Sequence, residues 1–373
     1  MPKRANNEGS LRRRADRSWE ARFTLSNGRR RSLHAKTQAE VLEKLHTAQK
    51  AMKAGLSATP EKITLSTYME QWLEESVRPR VRPYTFQSYR QNVRLHVNPE
   101  LGHIRLDSLT APMIQAYMNK KLTVLSSRTV QYHHAIIRSA LGQAVKWDMI
   151  PRNVAKLVSP PRVKKANISP LNPVEAKGLL QAVHGDRLSA LYTVALAVGL
   201  RQGEILGLRW QDINLLAGTL TVVVTLQKID GLTALSEPKS DKSYRTVKLP
   251  DICVDALQAH RLTQDSQRTL MGPAWQNEWD LVFTKEDGSP LSRHAVTKRF
   301  QRIFQNAGIK KRRFHDLRHT CATLLLAQGV PLRLVQEVLG HALFSTTADI
   351  YSHVLPVLMA DAAIRMDEVL AGV

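Results

Sequence analysis

Three stretches of the chain set residues able to do chemistry inside apolar surroundings. In Gly199-Leu200-Arg201-Gln202-Gly203-Glu204-Ile205, an arginine and a glutamate stand three apart just behind a hydrophobic run. On a short helix they share a face, which taken alone suits a structural ion pair. In His315-Asp316-Leu317-Arg318-His319-Thr320-Cys321 the two histidines lie one helical turn apart with a cysteine nearby, a spacing that invites a metal test. The test fails on composition: an HExxH protease needs Glu where Asp316 stands, and a third ligand. The segment reads instead as an amphipathic helix, with Leu317, Cys321, Leu324 and Gln328 on one side and Leu325 beside it. His315 and Arg318 share the other side, and His319 reads as structural. The third stretch is Leu339-Gly340-His341, followed ten residues later by Tyr351 in Asp349-Ile350-Tyr351-Ser352-His353. A lone tyrosine on an amphipathic helix is either a nucleophile or a packing residue, and His353 reads as structural. Taken singly, none of these stretches defines a function.

Several elements must hold these residues in place. Residues 11–14, 19–25 and 30–35 read as three short strands, the last two joined by a Ser-Asn-Gly turn, and a helix over about 37–54 follows. Arg12, Arg13, Arg14, Arg17, Arg22, Arg29, Arg30 and Arg31 interleave there with Trp19 and Phe23, as a small sheet pressed against phosphates would require. From 61 to about 158 the pattern is helical, with helices expected over 66–75, 83–97, 110–122 and 126–146. On the second, Phe86, Tyr89, Val93 and Val97 form a core stripe. Arg90 and Arg94 stand one turn apart on a neighbouring face, as phosphate contacts or as a solvated surface. Residues 151–173 hold five prolines, five basic residues and no acidic one, which reads as a basic interdomain linker. Asn172-Pro173-Val174-Glu175 then spells a helix start: Asn caps, Pro takes the first turn and Glu closes a capping box. Beyond it the chain is mostly helical apart from a β section, in which 219–226 is a β-branched run and 243–249 alternates.

The expected fold class is therefore mostly α with small β elements (α+β). Its domains are a three-stranded sheet plus helix at 1–60, an all-α helical bundle at 61–158, a linker at 159–170, and a mainly helical domain with a small antiparallel sheet at 171–373. The chain of 373 residues carries a net charge of +22, and its first 60 residues alone hold 14 Lys+Arg against 5 Asp+Glu. So large an excess repels itself unless a polyanion neutralises it, which makes nucleic acid the leading partner and an anionic membrane the second. The longest apolar run, residues 190–200, is too short to span a bilayer, and the N-terminus has no apolar signal core. Two cysteines, Cys253 and Cys321, provide no disulfide framework, which fits a reducing, cytoplasmic location. With neither a Walker-type loop nor GxGxxG, nucleotide-driven work is not expected.

In the order Arg201, Lys239, His315-x-x-Arg318, His341, Tyr351, the C-terminal half resembles the tyrosine recombinase (phage integrase) family. The surrounding text GLRQGEILGLRW, HDLRHTCATLL and LGHALFSTTADIYSHV carries the same resemblance, over about 170–360. It implies a site-specific DNA recombinase that cuts and rejoins strands through a 3′-phosphotyrosine, with neither metal nor ATP, because the covalent link conserves the bond energy. Arg201 and Arg318 would neutralise the scissile phosphate, His315 would assist the attacking side and Lys239 would protonate the leaving oxygen, with Lys242 as its rival. His341 would hydrogen-bond the phosphate and Glu204 would support the network from behind. The family layout further implies core-site binding by the helical domain and arm-site binding by the N-terminal module. It also implies a homotetramer on double-stranded DNA, docking of the segment after Tyr351 (Leu355, Leu358, Ala362, Met366, Val369) on a neighbour, and accessory DNA-bending proteins as further partners. A dimer-resolving chromosomal recombinase, a non-cleaving DNA-binding regulator of the same fold and a relaxing topoisomerase-like enzyme are the competing readings.

Overall fold

A computed structural model describes residues 10–24, 30–53, 63–164, 169–237, 243–340, 366–368 and 370–371, and the structural statements that follow concern these. The chain divides into two compact units, 1–165 and 166–373, with the division inside the Pro-rich basic stretch.

The first unit has two separate cores. Strands β1 (Ser10–Arg13), β2 (Trp19–Thr24) and β3 (Arg30–Ala35) form an antiparallel sheet in that order. Alternation along β2 sends Ala21 and Phe23 inward, where they are buried against Val41 and Leu45 of α1 (Gln38–Lys53). The second core belongs to the helices. α2 (Leu65–Trp72) and α3 (Pro83–Asn92) each run on into a single π-helical turn, 73–77 and 93–97; α4 (Asn98–Leu101), α5 (Ala111–Leu122) and α6 (Ser127–Lys146) follow. The expected stripe is largely inside, with Phe86, Val93 and Val97 buried and Tyr89 packed against them. Thr64 and Ser126 cap α2 and α6 through their hydroxyls, which accept backbone N–H groups that the helix leaves over.

The second unit starts with the capping box read from the sequence: the Asn172 side chain accepts from Glu175 N at 2.8 Å and Glu175 accepts from Asn172 N at 3.0 Å, opening α7 (Pro173–Ala182). Nearly every residue of α8 (Ser189–Val198) is buried, as its apolar composition requires, and α9 (Gln202–Leu206) follows after a turn. Strand β4 (Ile213–Asn214) pairs with β5 (Thr219–Val222), which pairs with β8 (Arg245–Lys248); β6 (Thr225–Ile229) and β7 (Leu232–Ser236) make a separate hairpin. This corrects the single β run expected over 219–226, which is cut after Val222. Its two halves have different partners, and partner choice depends on contacts that β-branching does not encode. One such contact is Gly207 below β6: a Cβ there would lie 2.7 Å from Leu226 N. Helices α10 (Asp251–Met271), α11 (Arg293–Asn306), α12 (Asp316–Ala327) and α13 (Leu332–Leu339) complete the unit. Among the described residues no helix is long and apolar enough to cross a membrane.

Candidate functional site

Three helix ends meet where the chemistry-bearing residues gather. α8 stops at Gly199, whose φ of +68° is a left-handed value that glycine adopts without penalty. A side chain at this position would also collide with the Cδ2 of Leu339, 2.5 Å from the ideal Cβ position, so α13 can close on α8 only over a glycine. Below the contact Cys321, Ala322, Leu326, Val335 and Leu339 form a small core that fixes α12 against α13.

Arg318, on the first turn of α12, is 2% exposed, and two of its nitrogens donate to helix-end carbonyls: Nη1 to Gly199 O at 2.8 Å and Nη2 to Leu339 O at 2.6 Å. Burial, followed by repulsion from Arg201, brings this guanidinium down to about 9, which leaves it charged at neutral pH. Arg201 precedes α9 and keeps 37% of its side chain exposed. Its Nη1 donates to Glu204 Oε1 at 2.6 Å and its Nη2 to Gly340 O at 2.9 Å, so the three-residue spacing has produced a carboxylate-backed guanidinium. Burial would raise the pKa of Glu204, yet Arg245 and Arg201 together hold it below the usual carboxylate range.

His315 stands at the N-terminal edge of α12, edge-to-face with His319 at 5.0 Å. Its outer side is open to solvent. Desolvation by the protein packed beneath it, then His319, Arg318 and Arg201, push its pKa down to about 4. At pH 7 the imidazole is therefore neutral, with a free nitrogen lone pair able to accept a proton. Cys321 is no metal ligand in this setting: its Sγ faces Ala197 O at 3.3 Å and burial pushes its thiol up to about 12.

Arg201, Glu204, His315 and Arg318 are thus brought together, as the sequence led one to expect. Lys239, its rival Lys242, His341 and Tyr351 lie outside the described residues, as do Leu355, Leu358, Ala362 and Val369 of the expected docking segment, while Met366 is exposed. The residue that sequence reasoning missed is Arg245. Its side chain is 7% exposed and bridges Glu204 Oε2, at 2.9 Å from Nη2, to Val338 O, at 2.7 Å from Nε. The signal was present: in the β8 pattern Arg-Thr-Val-Lys, Arg245 takes an inward position alongside buried Val247, where a strand normally places an apolar residue.

The basic residues proposed for DNA contact are less uniform than their sequence suggested. On the N-terminal sheet Arg12, Arg13, Arg14 and Arg30 are exposed, Arg31 lies within β3, and Arg29 is outside the described residues. Arg12 and Arg22 both reach Glu20, Arg22 at 2.9 Å, and this carboxylate is covered to 3% exposure. Hydrogen bonds from Ser32, Arg12 and Arg22 bring Glu20 down to about 2. In the helical bundle Arg90 and Arg94 are exposed, Arg90 lying 5.8 Å over the Phe86 ring, and Arg78 is held by Glu74 and lies 4.4 Å over the same ring.

Two guanidiniums anchored on helix ends, a carboxylate behind them and a neutral imidazole at the rim have the chemistry to attract an anion, and they are set in a strongly basic and mainly helical chain. The chain belongs to the phage integrase family. The model described as "Phage integrase family" matches residues 170–356, and that described as "Phage integrase, N-terminal SAM-like domain" matches 64–122. A tyrosine recombinase XerC-like protein of Caldanaerobacter subterraneus subsp. tengcongensis is 32% identical over 346 residues, covering 88% of each chain. Among solved structures, a Tn1549 transposon integrase fragment in complex with transposon right end DNA superposes with a TM-score of 0.69 at 20% identity, over 83% of this chain and 100% of that one. A lambda integrase tetramer bound to a Holliday junction gives 0.57 at 17% identity, over 94% and 96%. These likenesses bear out the mostly α fold with small antiparallel sheets, and family membership makes the protein a site-specific DNA recombinase.

Proposed function

We propose that this chain is an integrase that inserts and excises a mobile element or phage genome by tyrosine attack on DNA. The Tyr351 oxygen bonds to the scissile phosphorus as the bond to O5′ breaks. The phenol proton passes toward neutral His315, and Lys239 protonates O5′ as it leaves, which keeps the step balanced without metal or nucleotide. Charge building on the non-bridging oxygens meets Arg201 and Arg318, with His341 adding a hydrogen bond. Resealing reverses the step, with a 5′-hydroxyl attacking the phosphotyrosine. Exchange between two duplexes requires four such cleavages, hence four protomers. The helical domain would bind the core site and the N-terminal module a separate arm site. The work would be cytoplasmic, on double-stranded DNA, assisted by accessory bending proteins.

One observation carries this reading: the Arg201–Glu204 pair and Arg318 converge beside His315, on carbonyls that end at Gly340, one residue before His341. A dimer-resolving chromosomal recombinase is the second reading, favoured by the name of the relative from Caldanaerobacter. The ordered three-stranded module before the helical domain supports an integrase instead. The test is covalent trapping on duplexes with a randomised core and a nick placed so that cleavage releases a short fragment. Wild type should be trapped on a DNA 3′ end and select one core sequence, whereas Tyr351→Phe should trap nothing. No trapping by wild type, or equal trapping by both, sinks the proposal.

A further inference from the structure

The last three residues before His341 present their carbonyls to three different arginines. Val338 O accepts from Arg245 Nε, Leu339 O from Arg318 Nη2 and Gly340 O from Arg201 Nη2, at 2.7, 2.6 and 2.9 Å. The end of an α-helix leaves its final carbonyls without intrahelical partners and concentrates negative potential there, so cations are favoured at this position. Arg201 and Arg318 already have a part in the reaction. Arg245 has none, is 7% exposed, and sits on a β-strand rather than on a catalytic helix.

Its geometry links two objects that the reaction needs in fixed relation. Nη2 of the guanidinium holds Glu204 Oε2, the neighbouring Nε holds α13 through Val338 O, and Nη1 donates to Ser243 O in the strand's own approach. Glu204 in turn orients Arg201 through its other oxygen and also accepts the Arg201 backbone N–H, at 2.6 and 3.0 Å. Gly340 packs against the same arginine: its φ is +66°, and an added Cβ would lie 2.9 Å from Arg245 Nη1. We propose that Arg245 is a positioning residue, a buried bridge that ties Glu204 to the end of α13 and so sets the direction of the Arg201 guanidinium. A lysine cannot replace it, because a single ammonium does not offer two coplanar N–H donors, here Nε and Nη2, fixed in direction toward a carbonyl and a carboxylate.

This inference rests on the recombinase reading, and its test separates the two. The probe is the nicked duplex that the wild-type chain traps best, made once with an ordinary scissile phosphate and once with a methylphosphonate, which has one anionic oxygen fewer to neutralise. On phosphate, Arg245→Gln should bind the duplex like wild type and cleave on the order of 100-fold more slowly, the scale expected when a reacting group is displaced. On methylphosphonate the defect should shrink, since less depends on how Arg201 is aimed. Arg245→Lys should fall between, and Glu204→Gln combined with Arg245→Gln should be no slower than the slower single variant, because the two act through one guanidinium. A defect of equal size on both substrates would mean that Arg245 only supports the fold, and a wild-type rate in Arg245→Lys would overturn the bridge. If Arg245→Gln fails to fold, the Lys variant on the two substrates decides the matter by the same comparison. Failure of wild type to cleave either probe would instead strike the recombinase reading.

Discussion

Free histidine is already mostly neutral at pH 7, and the surroundings of His315 extend that neutral state well into the acid range. Desolvation by the protein beneath it comes first, then His319, Arg318 and Arg201, and the pKa moves from 6.5 down to about 4. The sign follows directly. Because the folded value lies below the unfolded one, the stability linked to this group is present in full above pH 6.5 and erodes as pH falls toward 4. Its capacity to accept a proton persists through the same window. A nuclear magnetic resonance titration of the free protein, assigned with His315→Asn, should find this imidazole titrating near 4. Binding a duplex should raise the value, since a phosphate beside the ring offsets the two arginines. A midpoint near 6.5 in the free protein would refute the crowding described for this ring. The imidazole and both arginines were legible in the sequence as spaced polar residues. Arg245 was marked only as a charged residue at an inward strand position, and its role was not legible, because that depends on Glu204, 41 positions away.

At the scale of elements, the site depends on how closely α8 and α13 approach. Gly199 is the hinge point of that contact: it takes the left-handed conformation, it lies against Leu339 and Cys321, and its carbonyl holds Arg318. Gly199→Ala combines an unfavourable φ of about 1 kcal/mol with overpacking of roughly 1–3 kcal/mol. Denaturant unfolding should therefore show a loss of about 2–4 kcal/mol, and single-turnover cleavage should slow as well, because the Arg318 acceptor shifts with the backbone. Unchanged stability would show that α13 can reseat without cost. Sequence periodicity located the longer helices of the first unit and the capping box that opens α7, whereas α10, α11 and α13 were covered only by the expectation of a mostly helical stretch. It did not reveal the π turns at 73–77 and 93–97, nor the break in the β run after Val222. Each depends on what packs beside the segment, whereas propensity is a property of the segment alone.

Across the whole molecule, the +22 charge is unevenly distributed along the chain. The N-terminal module carries net +9 over 60 residues and has its own small core, so its sheet can present Arg13, Arg14 and Arg30 while Glu20 holds Arg12 and Arg22. Removing residues 1–60 should preserve trapping on the core duplex and abolish a second, salt-sensitive footprint. For every phosphate that the module neutralises, its removal should flatten the log-log salt dependence of binding by roughly 0.9. A footprint unchanged by the deletion would refute arm-site binding by this module. The sequence by itself determined the partner class through net charge, the fold class through hydrophobic period, and the family through six spaced residues and their flanking text. These properties are written locally along the chain. Only the tertiary structure decided that α13 ends on three arginines and that Glu204 is held by Arg245 as well as by Arg201. Each of those states arises from groups far apart in sequence that share one poorly solvated volume, where electrostatic effects act between neighbours in space.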